Sequence, residues 1–461
     1  MIRRWLMRRA YNLGQWEVAK QHAKLLLTKP NEMELARSVY IRSCWHLNSF
    51  DEVVDLNAKW DNVFGELAEK SNYKLAQIKG DTSIFTSKIK RIHREAPRPK
   101  HLEIQWNDED LISNFFQEEN RVWMAHPNGW IHWDMPATYS LEKTHPDLLR
   151  LVAEILLKPW EKSSIEPFEG NRPLGKNPSL AFSAGADSTA ASLVMPDHTI
   201  LGYHRRDFKS LIDHRNADRL IDHINCQRGN KVVDIASNHE IIRSYHGLQI
   251  GFSTDLASGV HLILLADHYD IGALAFGTPL DNTWLAKGRR FREFSETPYF
   301  QYWSKRFHSA GIELYFPITG ISEAGAMKIC EKASITEFMN SCLRGNGLEG
   351  CGKCWKCFHK NGPLGRDFDF NSKEIQFFIN KTPLPTATHA LWALQRMDLA
   401  DQVPHLGHLL DIDFSWWTSY YPPAKEILPA RWKEETWTRI TQYLQPMAEP
   451  YLLHEINHYN E

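Results

Sequence analysis

PSLAFSAGADSTAASLVM, residues 178–195, is the stretch that decides the fold. SLAFS (179–183) predicts a short buried strand, SAGADST from Ser183 to Thr189 a tight turn, and the Ala-rich continuation a helix start. Ser183, Ala184, Gly185 and Ala186 are small, so their backbone N–H groups can close on an anion. Asp187 and Ser188 stand at the mouth, where the helix N-terminus favours phosphate. Asp187 suits such a site only if it holds Mg²⁺ or organises the turn. The Gly-Lys-Ser/Thr ending of a Walker A loop is missing, and a single glycine excludes a dinucleotide fingerprint. Small residues also occur at ordinary strand-to-helix turns, so the residues alone leave phosphate binding and a plain turn both open.

Working outward, residues 175–335 read as α/β. HTILGYH (198–204), KVVDIA (231–236) and ALAFG (273–277) are further strand candidates with helical stretches between them. Such long crossovers predict an open parallel sheet covered by helices, with ligand outside the carboxyl ends of its strands. Downstream, SCLRGNGLEGCGKCWKC (341–357) holds four of the seven cysteines: Cys342, Cys351, Cys354 and Cys357. Thiolates at this spacing bind Zn²⁺ tetrahedrally, and Gly345, Gly347, Gly350 and Gly352 supply the bends. Lys353 and Lys356 offset part of the thiolate charge. Full ligation leaves the metal no open position, so a structural role is expected. An iron–sulfur cluster, which uses similar thiols, and a set of unrelated buried thiols are the alternatives.

The flanks divide further. Residues 1–75 are helical and weakly repetitive: Tyr11, Leu13, Gly14, Trp16 and Ala19 are matched 34 residues later by Trp45, Leu47, Asn48, Phe50 and Val53. That is the tetratricopeptide period, though two units are too few for a free solenoid. The segment should pack on its neighbour or on a protein partner. An ordinary helical hairpin pair is the plainer alternative. Residues 76–99 form a basic connector within an accessory α+β region, 76–174. There HLEIQW (101–106), RVWMAH (121–126) and GWIHWDM (129–135) alternate as strands, and His145-Pro146-Asp147 opens a helix ending near Pro159. Residues 363–461 are a helical C-terminal layer.

The 461-residue chain carries a formal charge of −2, which argues against a nonspecific nucleic-acid binder. It has no apolar run of 18 residues, so no membrane span is expected. Clustered thiols fit a reducing compartment, with the cytoplasm as the expected location.

SAGADST resembles the SGGxDS signature of the PP-loop ATP pyrophosphatase superfamily, matching at Ser183, Gly185, Asp187 and Ser188. Ala184 replaces the second-position glycine, a methyl tolerable only at ordinary backbone angles. The Ser-Cys … Cys-Gly-Lys-Cys-x-x-Cys ending, and YFPITGISEAGAMKI (315–329) before it, resemble the 7-cyano-7-deazaguanine synthase branch. The likeness covers roughly residues 175–362, with the zinc insert at 342–357.

The resemblance implies the adenine-nucleotide α-hydrolase-like fold and an adenylating ligase that uses ATP and Mg²⁺. A substrate carboxylate attacks the α phosphate, pyrophosphate leaves, and ammonia or an amine displaces AMP to give an amide. A second activation would dehydrate that amide to a nitrile. Ser183 to Thr189, including Ala184 and Ala186, would bind the nucleotide, with Asp187 and Ser188 catalytic. The end of the second strand lies near the base in this family. His204 would contact it there, with a structural histidine as the plainer reading, and Arg205 or Arg206 would reach phosphate or carboxylate or else stay solvated at the surface. Gly277, Thr278 and Asp281 fall on the matching loop. Lys287, the third catalytic candidate, would neutralise leaving pyrophosphate with Arg289 or Arg290. His239 and Glu240 would cover a strand end or touch substrate, and Asp255 and His261 flank an apolar helix. A deazapurine acid or a protein or peptide terminus is the expected substrate. The enlarged flanks bring to mind relatives in antiphage operons and an operon-encoded partner held by the N-terminal helices. Sulfur insertion into RNA and a noncatalytic nucleotide-binding assembly role are the rivals.

Overall fold

The structure is a computed structural model. It describes residues 2–79, 91–92, 94–100, 105–159, 168–210, 212–227, 232–246, 248–347 and 349–459. Residues 101–104 of the expected HLEIQW strand, and residues 80–90 and 93 of the 76–99 connector, lie outside them.

Helices α1 (Ile2–Asn12), α2 (Trp16–Leu26), α3 (Met33–His46), α4 (Phe50–Lys59) and α5 (Gly65–Lys79) open the chain. The 34-residue spacing reappears in the geometry of their turns. Gly14 and Asn48 both take positive φ, +71° and +60°. Tyr11 meets Trp16 edge-on at 5.1 Å between centroids, and Trp45 meets Phe50 the same way at 5.1 Å. Each aromatic pair fills the angle between the two helices of its unit.

Eight strands form one sheet: β1 (Phe115–Glu118), β2 (Arg121–His126), β3 (Gly129–Asp134), β4 (Asn177–Ala181), β5 (Ile200–Arg206), β6 (Val232–Ser237), β7 (Ile271–Phe276) and, beyond a two-stranded ribbon of β8 (Leu285–Ala286) and β9 (Arg290–Phe291), β10 (Glu313–Tyr315). Their spatial order is β1-β2-β3-β6-β5-β4-β7-β10. The block from β6 to β10 is parallel, as the crossovers require. The rest is a correction to the all-parallel expectation. β1–β3 form an antiparallel meander that continues the same sheet through Trp133 of β3 opposite Ser237 of β6. The region before residue 175 therefore extends the main sheet and its core. β1 had no alternation strong enough to be anticipated.

Helix α6 (Pro146–Leu157) starts where the sequence put it. His145 caps it by accepting the Asp147 amide, and Pro146 occupies the first turn. Its leucines are buried between the sheet and the later helices. α7 (Ala186–Val194) follows β4 directly, and α8 (Arg215–Gln227) follows β5. Their apolar faces share a second core with β4, β5 and the C-terminal layer. That layer contains the helices Lys373–Ile379, Ala387–Arg396 and Ala430–Tyr443. No described helix is long and apolar enough to cross a membrane.

Histidines packed in or against the larger core carry no charge. Burial holds His239 and His359 down to about 3, and His246, His261, His389 and His458 down to about 4. Depressed folded-state values mean that the unfolded chain takes up more protons below its own histidine pKa of about 6.5. Stability is therefore complete above pH 6.5 and falls as pH drops towards 4. Thermal melts between pH 7.5 and 5 should show a midpoint falling by several degrees, and a flat profile would contradict this burial.

Candidate nucleotide site and metal clip

β4 ends at Ala181, and the chain turns through Phe182–Gly185 into α7. Ser183 N–H donates to Ser188 Oγ at 3.1 Å, and the Ser183 and Ser188 hydroxyls lie 3.1 Å apart. Ser188 Oγ donates back to the Gly185 carbonyl at 3.2 Å. Gly185 is the N-cap of α7 with φ −86°, a conformation open to any residue. A Cβ built there would meet only Ser183 Oγ at 3.5 Å and parts of Ser341 from 3.6 Å, which is ordinary contact. Neither backbone nor packing requires this glycine. Its missing side chain leaves the inner face of the turn open.

Ala184 differs. It is fully buried with φ +57°, so the ordinary angles its methyl calls for are not there. The left-handed conformation costs a non-glycine residue about 1–2 kcal/mol, partly offset by the entropy glycine loses on folding. Ala184→Gly relieves that strain but also deletes a fully buried methyl worth about 0.8 kcal/mol, so urea denaturation should find it within about 1 kcal/mol of wild type.

A cavity of about 470 Å³ lies over this turn, at the carboxyl ends of β4, β5 and β7. Ser183, Gly185, Ala186, Asp187, Ser188, His204 and Gly277 line it. Gly277 is also a packing glycine, since a Cβ would come 2.8 Å from the Ser188 Cα. Thr189 is a correction: it is buried inside α7 and does not line the cavity. Strand alternation separates the arginines. Arg206 reaches the cavity wall, where Glu240 clamps it. Arg205 leaves on the opposite face and pairs with Asp218 and Asp234, so it does not reach the site. His204 presents a ring held neutral by burial and by neighbouring His239 and His261. His239 is internal, bonded to Ser237 Oγ and the Ala257 carbonyl. His261 is buried beneath Gly202. Asp255 and Thr278 face the cavity. Asp281 does not: it is buried and accepts the Glu323 amide at 2.8 Å, with burial and Glu323 pushing its carboxyl well up.

The cationic loop expected at 287–290 is the larger correction. Lys287 and Gly288, at φ +55° and +67°, turn the β8–β9 ribbon, and Lys287 does not line the cavity. Arg289 is buried with its guanidinium over Tyr459, and Arg290 is exposed on β9. The cations come from the cysteine segment. Lys356 and Lys360 both line the cavity, one helical turn apart. Lys360 Nζ is buried between Asp187 Oδ1 at 2.7 Å and Glu323 Oε2 at 2.8 Å, and these two carboxylates hold its ammonium above the ordinary lysine range. Glu323, the first residue of the helix Glu323–Lys332, is correspondingly held low: burial opposes ionisation, but Lys360, His389 and His359 outweigh it. His359 and His389 lie 3.9 and 3.7 Å from Glu323, a set that resembles a metal site. The Lys360 ammonium already supplies the positive charge there. Lys360 sits in a single π-turn, Cys357–Asn361, a distortion frequent at functional sites. The CWKCFHK run, with lysines two and six residues after Cys354, was the signal available in the sequence.

The four clip sulfurs are separated by 3.5 Å (Cys342–Cys354), 3.6 Å (Cys342–Cys351 and Cys354–Cys357) and 3.9 Å (Cys351–Cys357). A tetrahedron with Zn–S bonds of about 2.3 Å has edges of about 3.8 Å, so the thiols can hold one zinc ion. An iron–sulfur cluster, whose thiolates bind separate irons, needs wider spacing. Two N–H groups aim at the sulfurs, Cys351 N at 3.4 Å from Cys342 Sγ and Asn361 Nδ2 at 3.5 Å from Cys357 Sγ.

A mixed α/β sheet with a cavity at its strand ends and a four-thiol clip beside it is thus the class of protein that fold and site define. Residues 302–452 match a family model described as a family of unknown function (DUF6395), a segment that includes Glu323, the clip, Lys356 and Lys360 but not the turn at 183–188. No curated protein matches the chain. No solved structure matches it either.

Proposed function

We propose that the chain is a PP-loop-type adenylating ligase, in which ATP occupies the cavity over Ser183–Ser188 and a substrate carboxylate is activated there. The observation that carries this reading is the open inner face of the Gly185 turn beside two buried or cavity-lining lysines. Zinc in the clip would be structural. Asp187, whose Oδ1 pairs with Lys360, is the carboxylate that would hold Mg²⁺, and the ion would supply positive charge against the phosphates.

The amides at the start of α7 and the Ser183 and Ser188 hydroxyls would bind phosphate oxygens. The substrate carboxylate oxygen would bond to the α phosphorus while its bond to the bridging oxygen breaks. Lys356 and Lys360 would stabilise charge on the departing pyrophosphate. An amine would then bond to the acyl carbon, releasing AMP and a proton and giving an amide. A deazapurine carboxylic acid is the first substrate to test, and the paired N-terminal helices make a protein or peptide terminus the second. Sulfur insertion is less well supported, because none of Cys44, Cys226 and Cys330 lines the cavity, and the Cys330 thiol is buried behind the turn, against the Ala186 carbonyl at 3.6 Å.

The test is release of AMP and pyrophosphate from Mg²⁺–ATP with 7-carboxy-7-deazaguanine and ammonia, products read by mass spectrometry. Asp187→Asn should reduce turnover at least about a hundredfold, in line with loss of one preorganised charged group. Lys287→Ala and Arg205→Ala should leave it unchanged. Nucleotide binding without either product would favour the noncatalytic assembly reading.

A further inference from the structure

Ser341 touches both the turn and the clip. It directly precedes Cys342. Its Oγ accepts the amide of Ala186, the first residue of α7, at 3.0 Å. A serine hydroxyl has one proton to donate and two lone pairs to accept with. Here one lone pair is used, and no acceptor for the proton is recorded among the described residues. The side chain lines the cavity, on the side that the absent Gly185 side chain leaves open.

No helix or strand fixes Ser341. Its segment is held by Asn340, which bonds Asn216 Oδ1 at 3.2 Å and accepts the Cys342 amide at 3.1 Å, and by the Cys342 sulfur within the clip. One ion bound to all four sulfurs would tie Cys342 to Cys351, Cys354 and Cys357, and without that tie the anchor next to Ser341 loosens. The same clip carries Lys356 and Lys360 on its other side.

We propose that Ser341 is a positioning residue that couples metal occupancy of the clip to nucleotide binding at the turn. Its hydroxyl holds the Ala186 amide and donates its own proton to an anionic oxygen of the bound nucleotide. The inference rests on the nucleotide reading given above. Coupling between two ligands is reciprocal, so nucleotide must tighten metal retention by the factor by which metal tightens nucleotide.

The experiment uses the full zinc-loaded chain and Mg²⁺ with α,β-methylene-ATP. Zinc affinity is measured by competition with a zinc-selective indicator, with and without saturating nucleotide, and nucleotide affinity by calorimetry. In the wild type, nucleotide should shift the zinc competition about tenfold, the worth of one hydrogen bond to a charged group. Ser341→Ala keeps all four thiols. It should still bind one zinc, bind nucleotide about tenfold more weakly, and lose the shift. Ser341→Thr, which keeps the hydroxyl, should restore both. Nucleotide that saturates the wild type without moving zinc affinity would overturn the coupling and leave the proposed function standing. So would a Ser341→Ala chain that saturates and keeps the full shift. A wild type that binds no nucleotide would overturn both.

Discussion

Lys360→Met is expected to destabilise the chain by about 3–5 kcal/mol, the range found when one partner of a buried ion pair is removed. Lys360 is 5% exposed, and its ammonium is the only cation within ion-pair distance of both Asp187 and Glu323 among the described residues. Methionine matches much of its length but leaves two carboxylates facing each other across a poorly solvated wall. One of them must then take up a proton. The Glu323→Gln, Lys360→Met double variant removes one of the stranded charges and should recover part of the loss, a coupling that a double-mutant cycle reads directly. Urea denaturation is the measurement. A single variant within 1 kcal/mol of wild type would mean that the buried triad does not exist as drawn.

Removal of the clip metal should have a comparable effect by a different route. The sulfur separations fit one tetrahedral ion, so the purified chain should carry one equivalent of zinc and no visible absorption. In isolated zinc-finger peptides such binding is worth about 10–16 kcal/mol, and it is folding energy. Here the two large cores are built mostly from residues outside the clip, so the loss should concentrate in residues 340–370. Cys354→Ser should release the zinc, lower the thermal midpoint by ten degrees or more, and open the segment around Gly345–Gly352 to protease. Five rapidly titrating thiols in an untreated preparation, the exposed Cys226 and the four of the clip, with a midpoint indifferent to chelator, would refute the metal clip.

Much of the fold was legible in the sequence. Tight apolar runs bounded by turns gave β2, β3, β4, β5, β6 and β7 to within about two residues, because strand burial and alternation leave a local signature. β10 is three residues long and β1 four, too short for a pattern to stand out. The joining of β3 to β6 was invisible, since it depends on one long-range pair. At the site, the Ser183–Ser188 segment was legible as a tight strand-to-helix turn because its residues are small, and the four cysteines as a clip because thiols at short spacing have few other uses. The cations were not. Lys287, Arg289 and Arg290 lay near the right strand in sequence, whereas Lys356 and Lys360 arrive from 170 residues away along the chain. Arg205 and Arg206 are neighbours that chemistry could not rank, and the side of the strand decided between them.

The single pair between Trp133 and Ser237 also governs colloidal behaviour. Without the meander, β6 would expose a bare row of amides and carbonyls along one rim of the parallel block, a template for intermolecular strand pairing. A truncated chain starting after residue 170 should thus lose solubility at micromolar concentration even if every group lining the cavity is intact, and the amino-terminal third acts in part as a built-in guard against self-association.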